Sequence, residues 1–227
     1  MNFGEKAYGF YSSLKPPASP AGSQISVMDP FNDKQVMNIL GSFYRKFYAD
    51  NRERIFLIGI NPGRFGGGIT GIPFTDPVNL AEILRISSTL DKRHELSSRF
   101  IYEVVKRIGG PGAFFGKCYM TALSPFGFTR YNRNLNYYDD RDLYRKWEPL
   151  LADWMQQQIG FGAFRDVAFS LGRGKNFEHL ERMNAKHGFF GRIEALPHPR
   201  WVMQYRYKKR HHFFNFYIER INSLKVY

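Results

Sequence analysis

The sequence has few groups that could cross-link the chain or place it in a membrane. Its 227 residues include one cysteine, Cys118, so we expect no disulfide within the chain and no cluster or zinc site that needs several thiolates. It has no run of about 18 apolar residues, and its start, MNFGEKAYGFYSSLKPP, lacks the basic-then-apolar order of a secretory signal. We therefore expect neither membrane insertion nor export.

Acidic residues are also scarce relative to basic ones. Asp and Glu number 20 against 33 Lys and Arg, which gives a formal net charge of +13 at pH 7. With 43% hydrophobic and 17% aromatic residues, the chain has enough apolar surface for a packed core. The positive field favours an acidic partner, either nucleic acid or an anionic surface. We expect a cytoplasmic location, beside the nucleoid in a bacterium, or the nucleus in a eukaryote.

The order of apolar runs along the chain indicates the fold class. Residues 1–28 are rich in Pro, Ser and Gly, and we expect an irregular surface arm there, followed by one domain over 29–227. Runs typical of strands buried on both faces span 54–60, 117–123, 166–171 and 191–196. Helical periodicity covers 29–50, 78–87, 95–108, 140–158, 173–187 and 209–224. This alternation predicts an α/β fold, a three-layer α/β/α sandwich with a central, mainly parallel four-stranded sheet.

The segment after the first predicted strand is rich in glycine. In sheets of this kind ligands bind beyond the carboxyl ends of the strands, so this segment is a candidate site. It reads NPGRFGGGITGIPF from Asn61 to Phe74, with five glycines in the nine residues 63–71. Glycines at this density allow a close approach of backbone to a ligand, or conformations that other residues avoid. The pattern predicts a ligand-binding loop.

Three of these glycines also match a dinucleotide-binding motif. Gly66, Gly68 and Gly71 satisfy G-x-G-x-x-G, which is found in nicotinamide-dependent oxidoreductases. The match is weak, because five residues separate Ile60 from the first glycine and Pro73 prevents a prompt helix start. An oxidoreductase stays a minor alternative.

The segment after the fourth predicted strand combines positive charge with aromatic side chains. It reads PHPRWVMQYRYKKR from Pro197, and no acidic residue occurs between His198 and His212. Cations neutralise phosphates, and aromatic or apolar side chains stack on bases or wedge between them. Pro197 and Pro199 restrict the backbone on both sides of His198 and so orient its imidazole. The candidate nucleic-acid contacts are Arg200, Trp201, Met203, Tyr205, Arg206, Lys208 and Lys209.

Taken together, these segments resemble the two active-site motifs of the uracil-DNA glycosylase superfamily, and most closely those of its single-strand-selective monofunctional (SMUG) family. The first family motif is Gly-Met-Asn-Pro-Gly-Pro-Phe-Gly, three residues, then Thr-Gly-Val-Pro-Phe, and residues 59–74 follow this spacing without a gap. CYMTALSPFGF and NRNL, within 118–135, are similar to the segment after the family's second strand. The resemblance covers roughly residues 30–215.

The resemblance implies a role for each matched residue. Asn61 would position the attacking water, and His198 would support charge on the leaving base. Phe74 would stack on the extruded base, in a pocket completed by Ile60, Gly63, Gly67 and Ala122. Of the later segment, Trp201, Met203 or Tyr205 would enter the base stack, with Arg200 and Arg206 on the strand backbone.

The same resemblance implies a monofunctional enzyme of base excision repair. No further nucleophile or Schiff-base lysine occurs in the motifs, so the expected product is an intact abasic site. We expect no cofactor and no metal. The expected partner is single- or double-stranded DNA that contains a deaminated base, and the protein is expected to be a monomer.

The sequence departs from the family at three positions. Ala122 stands where the family has an asparagine that pairs with uracil, and loss of such a pair weakens base discrimination by about 1–3 kcal/mol. We therefore expect hypoxanthine and xanthine to be accepted as well as uracil, with Thr121, Ser124 or Asn134 as candidates for a compensating contact. Arg64 replaces a proline and Gly67 a methionine, which makes the pocket wall more basic and more open. A catalytically inactive nucleic-acid-binding module on the same fold is the alternative function.

Overall fold

The computed structural model describes residues 1–226 and contains two sheets surrounded by helices. In chain order the elements are α1 (Phe3–Ser13), β1 (Ile25–Met28), α2 (Lys34–Phe47), β2 (Ile55–Gly59), α3 (Gly67–Thr70), α4 (Pro77–Glu82), α5 (Leu96–Arg107), α6 (Pro111–Lys117), β3 (Cys118–Ala122), β4 (Gly127–Arg130), β5 (Arg133–Leu135), α7 (Arg141–Ile159), β6 (Val167–Leu171), α8 (Lys175–His187), β7 (Arg192–Leu196), α9 (Pro199–Tyr205) and α10 (Arg210–Asn222). There are also two 3₁₀ helices. Pro30–Asn32 is separated from α2 by Asp33, and Tyr207–Lys209 directly precedes α10.

The central sheet is parallel and has the strand order β3-β2-β6-β7. Every residue of β2, β3 and β6 is buried, as expected for parallel strands covered on both faces by helices. The predicted α/β/α sandwich is confirmed, and each of its four strands lies within one residue of the predicted bounds. The sheet brings the segments after β2, β3 and β7 to one edge.

A second, antiparallel sheet was not predicted. Its strands have the order β1-β4-β5, and β4 pairs with both neighbours. The sequence signal is weak because β5 has three residues, none of them buried. This sheet places the chain around residues 134–137 beside the glycine-rich loop.

Residues 1–28 are not the irregular surface arm that their Pro, Ser and Gly content predicted. Helix α1 begins with a capping box, in which the side chains of Asn2 and Glu5 accept each other's backbone N–H. Phe3 is fully buried, stacks on Tyr48 and meets the edge of Phe161. The expectation is wrong because the prolines lie after α1, at positions 16, 17 and 20. The helix itself buries Phe3, Phe10 and Tyr11.

The predicted helices are present with one subdivision and one shortening, because the helix expected over 78–87 is only Pro77–Glu82. The helix expected over 29–50 is split, because Asp29 caps the 3₁₀ helix and Asp33 caps α2. The short helices α6 and α9 were not predicted. Across the described chain, no helix combines the length and apolarity needed to cross a bilayer.

The burial of α1 predicts a large loss of stability when Phe3 is truncated. Phe3→Ala removes a buried ring with several aromatic neighbours, and it should lower the free energy of unfolding by about 3–5 kcal/mol. Tyr8→Ala is the matched control, since Tyr8 lies on the same helix but is 37% exposed. This substitution should change the free energy of unfolding by less than about 1 kcal/mol. Urea unfolding followed by circular dichroism measures both. Equal losses would contradict the packing of α1 into the core.

Candidate active site

A cavity of about 630 Å³ opens at the carboxyl ends of the parallel strands. All seven residues predicted for catalysis and base binding line it, and so do three of the predicted nucleic-acid contacts. These residues are Ile60, Asn61, Gly63, Gly67, Phe74, Ala122, His198, Arg200, Trp201 and Tyr205. They come from segments far apart in sequence, and the sheet topology brings them together.

The Asn61 amide is held in one orientation by the backbone beyond β5. Its Oδ1 accepts the Tyr137 N–H at 3.1 Å, and its Nδ2 donates to the Leu135 carbonyl at 3.2 Å. Because both partners are backbone groups of fixed polarity, the carbonyl and amino ends of the side chain cannot exchange. Oδ1 retains one lone pair that can accept a hydrogen bond from a water molecule.

Phe74 forms one wall of the cavity in a backbone conformation that is rare for its residue type. Its φ is +56°, in the left-handed region. The ring lies against the end of β2, where a Cβ at Gly59 would come within 2.6 Å of ring atom Cζ. The hydroxyl of buried Thr70 donates to the Thr75 carbonyl at 2.8 Å and so closes the turn around Phe74. The Phe74 ring can take this position because residue 59, at the end of β2, is a glycine.

The glycine-rich loop folds on itself rather than around a dinucleotide. The N–H groups of Gly66 and Gly68 both donate to the Gly63 carbonyl, at 3.2 and 3.0 Å. A Cβ at Gly68 would lie 2.8 Å from that oxygen, and Gly71 has a φ of +73°. Helix α3 has only four residues, so the strand-turn-helix unit that binds a pyrophosphate is not formed. The oxidoreductase alternative loses its structural basis.

His198 is a neutral hydrogen-bond donor at physiological pH. Burial lowers the pKa of His198 to about 4, and the nearby positive charge of Arg200 acts in the same direction. Nδ1 accepts the backbone N–H of Arg200 at 3.2 Å. The imidazole proton is therefore on Nε2, which leaves Nε2–H as the donor.

Helix α9 divides the predicted nucleic-acid contacts into two sets. Trp201 and Tyr205, one helical turn apart, are 39% and 61% exposed at the mouth of the cavity. The guanidinium of Arg206 lies 5.0 Å from the centre of the Trp201 ring. Met203 is buried in the core, so its predicted insertion into the base stack is wrong. The helical period explains the error, because it turns Met203 toward the core while Trp201 and Tyr205 stay exposed.

The remaining basic residues of this segment lie beyond the cavity. Arg206, Lys208 and Lys209 are exposed and follow α9 along the surface. They extend the positive charge from the mouth of the cavity.

Of the three residues considered as substitutes for the missing asparagine at Ala122, Asn134 alone lines the cavity. Thr121 is buried, with its hydroxyl donating to Gln158 in the core. The Ser124 hydroxyl donates to the Phe126 carbonyl at 2.8 Å. Thr121 and Ser124 therefore already have partners inside the protein.

Several lining residues were missed by sequence reasoning. They are Phe65, Glu95, Ser97, Arg133, Asn136 and Gln204, with Pro62 and Pro73 beside them, whereas Arg64 lines the cavity as expected. Glu95 has the only carboxyl group among the described lining residues. No sign of this position is present in the sequence, because Glu95 ends the charged stretch 91–95 and no motif distinguishes it from its neighbours. The guanidinium groups of Arg64 and Arg93 lie 4.6 and 5.6 Å from the Phe65 ring centre. Within residues 1–226, no three His, Cys, Asp or Glu side chains converge as metal ligands would.

Comparison with known proteins identifies the family. The model of the uracil DNA glycosylase superfamily matches residues 45–222, a span that contains every predicted site residue. Among solved structures, SMUG2 of Pedobacter heparinus is similar over 98% of both chains, with 38% sequence identity and a TM-score of 0.94. No curated protein matches the sequence. The chain therefore belongs to the uracil DNA glycosylase superfamily, as a SMUG-like member.

Proposed function

We propose that this DNA glycosylase hydrolyses the N-glycosidic bond of uracil, hypoxanthine and xanthine in DNA and leaves an intact abasic site. The observation that carries the proposal is that Asn61, Phe74 and His198 line one cavity with a basic, aromatic rim. A base would leave the stack and enter this cavity, with its ring against Phe74.

The reaction uses water as the nucleophile. As the bond from C1′ to the base breaks, its electron pair goes to the base and the sugar becomes oxocarbenium-like. Asn61 Oδ1 orients a water whose oxygen bonds to C1′, and the water proton passes to solvent. His198 Nε2–H donates to a base oxygen as negative charge develops there, which is worth about 3 kcal/mol in comparable oxyanion sites. The phosphates of the substrate also stabilise the sugar cation.

Two features of the cavity support this product and this range of bases. No lysine and no thiol is among the described residues that line it, which favours hydrolysis over a Schiff-base route with strand cleavage. Ala122 is small, and it is the partner of Gly59 in the register of β2 and β3. A methyl group in place of the longer family asparagine would leave more room for the second ring of a purine.

The rim formed by α9 is proposed to replace the extruded base in the stack. Trp201 and Tyr205 are the exposed aromatic residues there, and the exposed Arg200 and Arg206 beside them would contact strand phosphates. Lys208 and Lys209 would add nonspecific affinity for the backbone. We propose that the protein acts as a monomer.

Asn61→Ala should abolish base release. Strands containing uracil, hypoxanthine or xanthine should be cleaved at the modified nucleotide by alkali after incubation with the wild type, and not after incubation with the variant, because the water loses its orienting group. Asn38→Ala, at an exposed position on α2, is the control and should retain wild-type rates. Strand binding without release of any base by the wild type would favour the inactive binding module. Release of uracil alone would contradict the wider range.

The lowered pKa of His198 predicts a flat pH profile. Since the imidazole is already neutral above about pH 5, its protonation does not change between pH 6 and 8. Single-turnover rates of uracil release should be constant over this window, and His198→Gln should be slower at each pH with the same profile. A rate that falls as pH rises through about 6.5 would show that the imidazolium is the active form.

Trp201→Ala should slow base release from duplex DNA more than from single strands. In a duplex the vacated position must be filled, whereas a single strand loses less stacking when its base leaves. We expect a further decrease of about tenfold on the duplex, measured as the ratio of single-turnover rates on the two substrates. Tyr8→Ala, which removes an exposed aromatic residue on α1, should leave the ratio unchanged. Equal slowing on both substrates would argue against gap filling by Trp201.

A further inference from the structure

Glu95 places a carboxyl group inside the cavity of a protein with a net charge of +13. The group lies so close to the glycine-rich loop that a Cβ at Gly66 would be 2.4 Å from Oε2. Oε1 lies 3.7 Å from the position of a Cβ at Gly63. The absence of a side chain at Gly66 lets the Glu95 carboxyl lie in this position, and the proposed mechanism does not use that carboxyl.

Groups at the start of α5 account for part of the environment of this side chain, because the Ser97 hydroxyl and the Ser98 backbone N–H both favour its carboxylate form. Glu95 is the N-cap residue of α5, but its side chain makes no capping hydrogen bond. Its backbone N–H is bound by Asp76 Oδ2 at 2.9 Å. None of the ion pairs found in residues 1–226 includes Glu95. The carboxyl is thus placed against the cavity without a charged partner in contact.

The Glu95 carboxyl keeps acceptor capacity beyond its two nearby donors, because a carboxylate can accept about four hydrogen bonds. Burial raises the pKa of Glu95, and the negative charge of Asp76 adds to this increase, while the Ser97 hydroxyl, the positive charge of Arg200 and the Ser98 backbone N–H act against it and favour the carboxylate. Removing a charged oxygen from water costs free energy unless a hydrogen-bond donor replaces the water. A ligand N–H in the cavity would supply that donor.

An amide lies on the other side of Gly63. Asn134 Nδ2 is 3.6 Å from the Cβ position of Gly63. Asn134 Oδ1 accepts the Arg64 N–H at 3.4 Å, which turns the amino group toward the cavity wall. The wall at Gly63 is therefore flanked by a carboxyl acceptor and an amide donor.

Deamination reverses the hydrogen-bonding polarity of a base edge. Cytosine N3 and adenine N1 carry a lone pair, whereas uracil N3 and hypoxanthine N1 carry a hydrogen beside a carbonyl. Xanthine also has an N1–H beside a carbonyl. A carboxylate at this edge would accept the N–H of the deaminated base and repel the lone pair of cytosine or adenine.

We propose that Glu95 is a base-recognition residue whose carboxylate accepts the ring N–H of the deaminated base. This inference rests on the proposed function and deepens it, because one acceptor recognises the three proposed bases.

The test uses Glu95→Gln in the full chain and measures binding separately from cleavage. A 2′-fluoro group next to the glycosidic bond withdraws electrons and slows base loss, so strands with 2′-fluoro-2′-deoxyuridine, the corresponding cytidine, or a tetrahydrofuran abasic analogue serve as probes. We expect the variant to bind the uridine strand about tenfold more weakly. Affinity for the abasic analogue should not change, and the preference for uridine over cytidine should decrease, because a glutamine amide can donate to cytosine N3.

The matched control is Glu103→Gln, which removes an exposed carboxyl of the same helix and should behave as the wild type on all three strands. If Glu95→Gln weakens binding to the abasic analogue as much as to the uridine strand, the role is structural and the inference fails. If the wild type releases uracil and Glu95→Gln matches it on every strand, the inference also fails while the proposed function stands. A wild type that releases no base would overturn the proposed function itself.

Discussion

The hydrogen bonds that hold the Asn61 amide join the two sheets of this protein at its active site. One end of the amide accepts from Tyr137 and the other donates to the Leu135 carbonyl, so the loop after β2 is tied to the segment after β5. A water-positioning group must keep its oxygen directed at one point, and two backbone partners of opposite polarity achieve this without a charged residue. The small antiparallel sheet thereby fixes one side chain of the cavity.

Close approach between backbone and side chain is the second requirement of the site. Gly59 allows the Phe74 ring to lie against the end of β2, and Gly66 allows the Glu95 carboxyl to lie against the loop. In both cases a methyl group would overlap with the neighbouring side chain. The glycines thus determine the shape of the cavity wall more than they provide flexibility, since the loop is closed by hydrogen bonds to the Gly63 carbonyl.

Charge is distributed differently at the mouth and in the interior of the cavity. Arginine and aromatic side chains at the mouth suit phosphates and bases, whereas the interior holds a neutral imidazole and one desolvated carboxyl. A polyanion can be attracted over a long range by the rim, but a base is distinguished by the few polar groups it meets after desolvation. Under the proposed function, affinity for DNA and selection among bases would thus depend on different residues.

Sequence alone determined the parallel sheet and the post-strand location of the site, because continuous apolar strands and the Asn61–Phe74 and His198 motifs are local patterns. It also identified the wall-forming Phe74 and the exposed Trp201. It did not reveal β5, the burial of Met203 or the position of Glu95, since each depends on packing between segments distant in the chain. The neutral state of His198 was likewise decided by tertiary structure, because a pKa depends on burial and on neighbours that no local pattern shows.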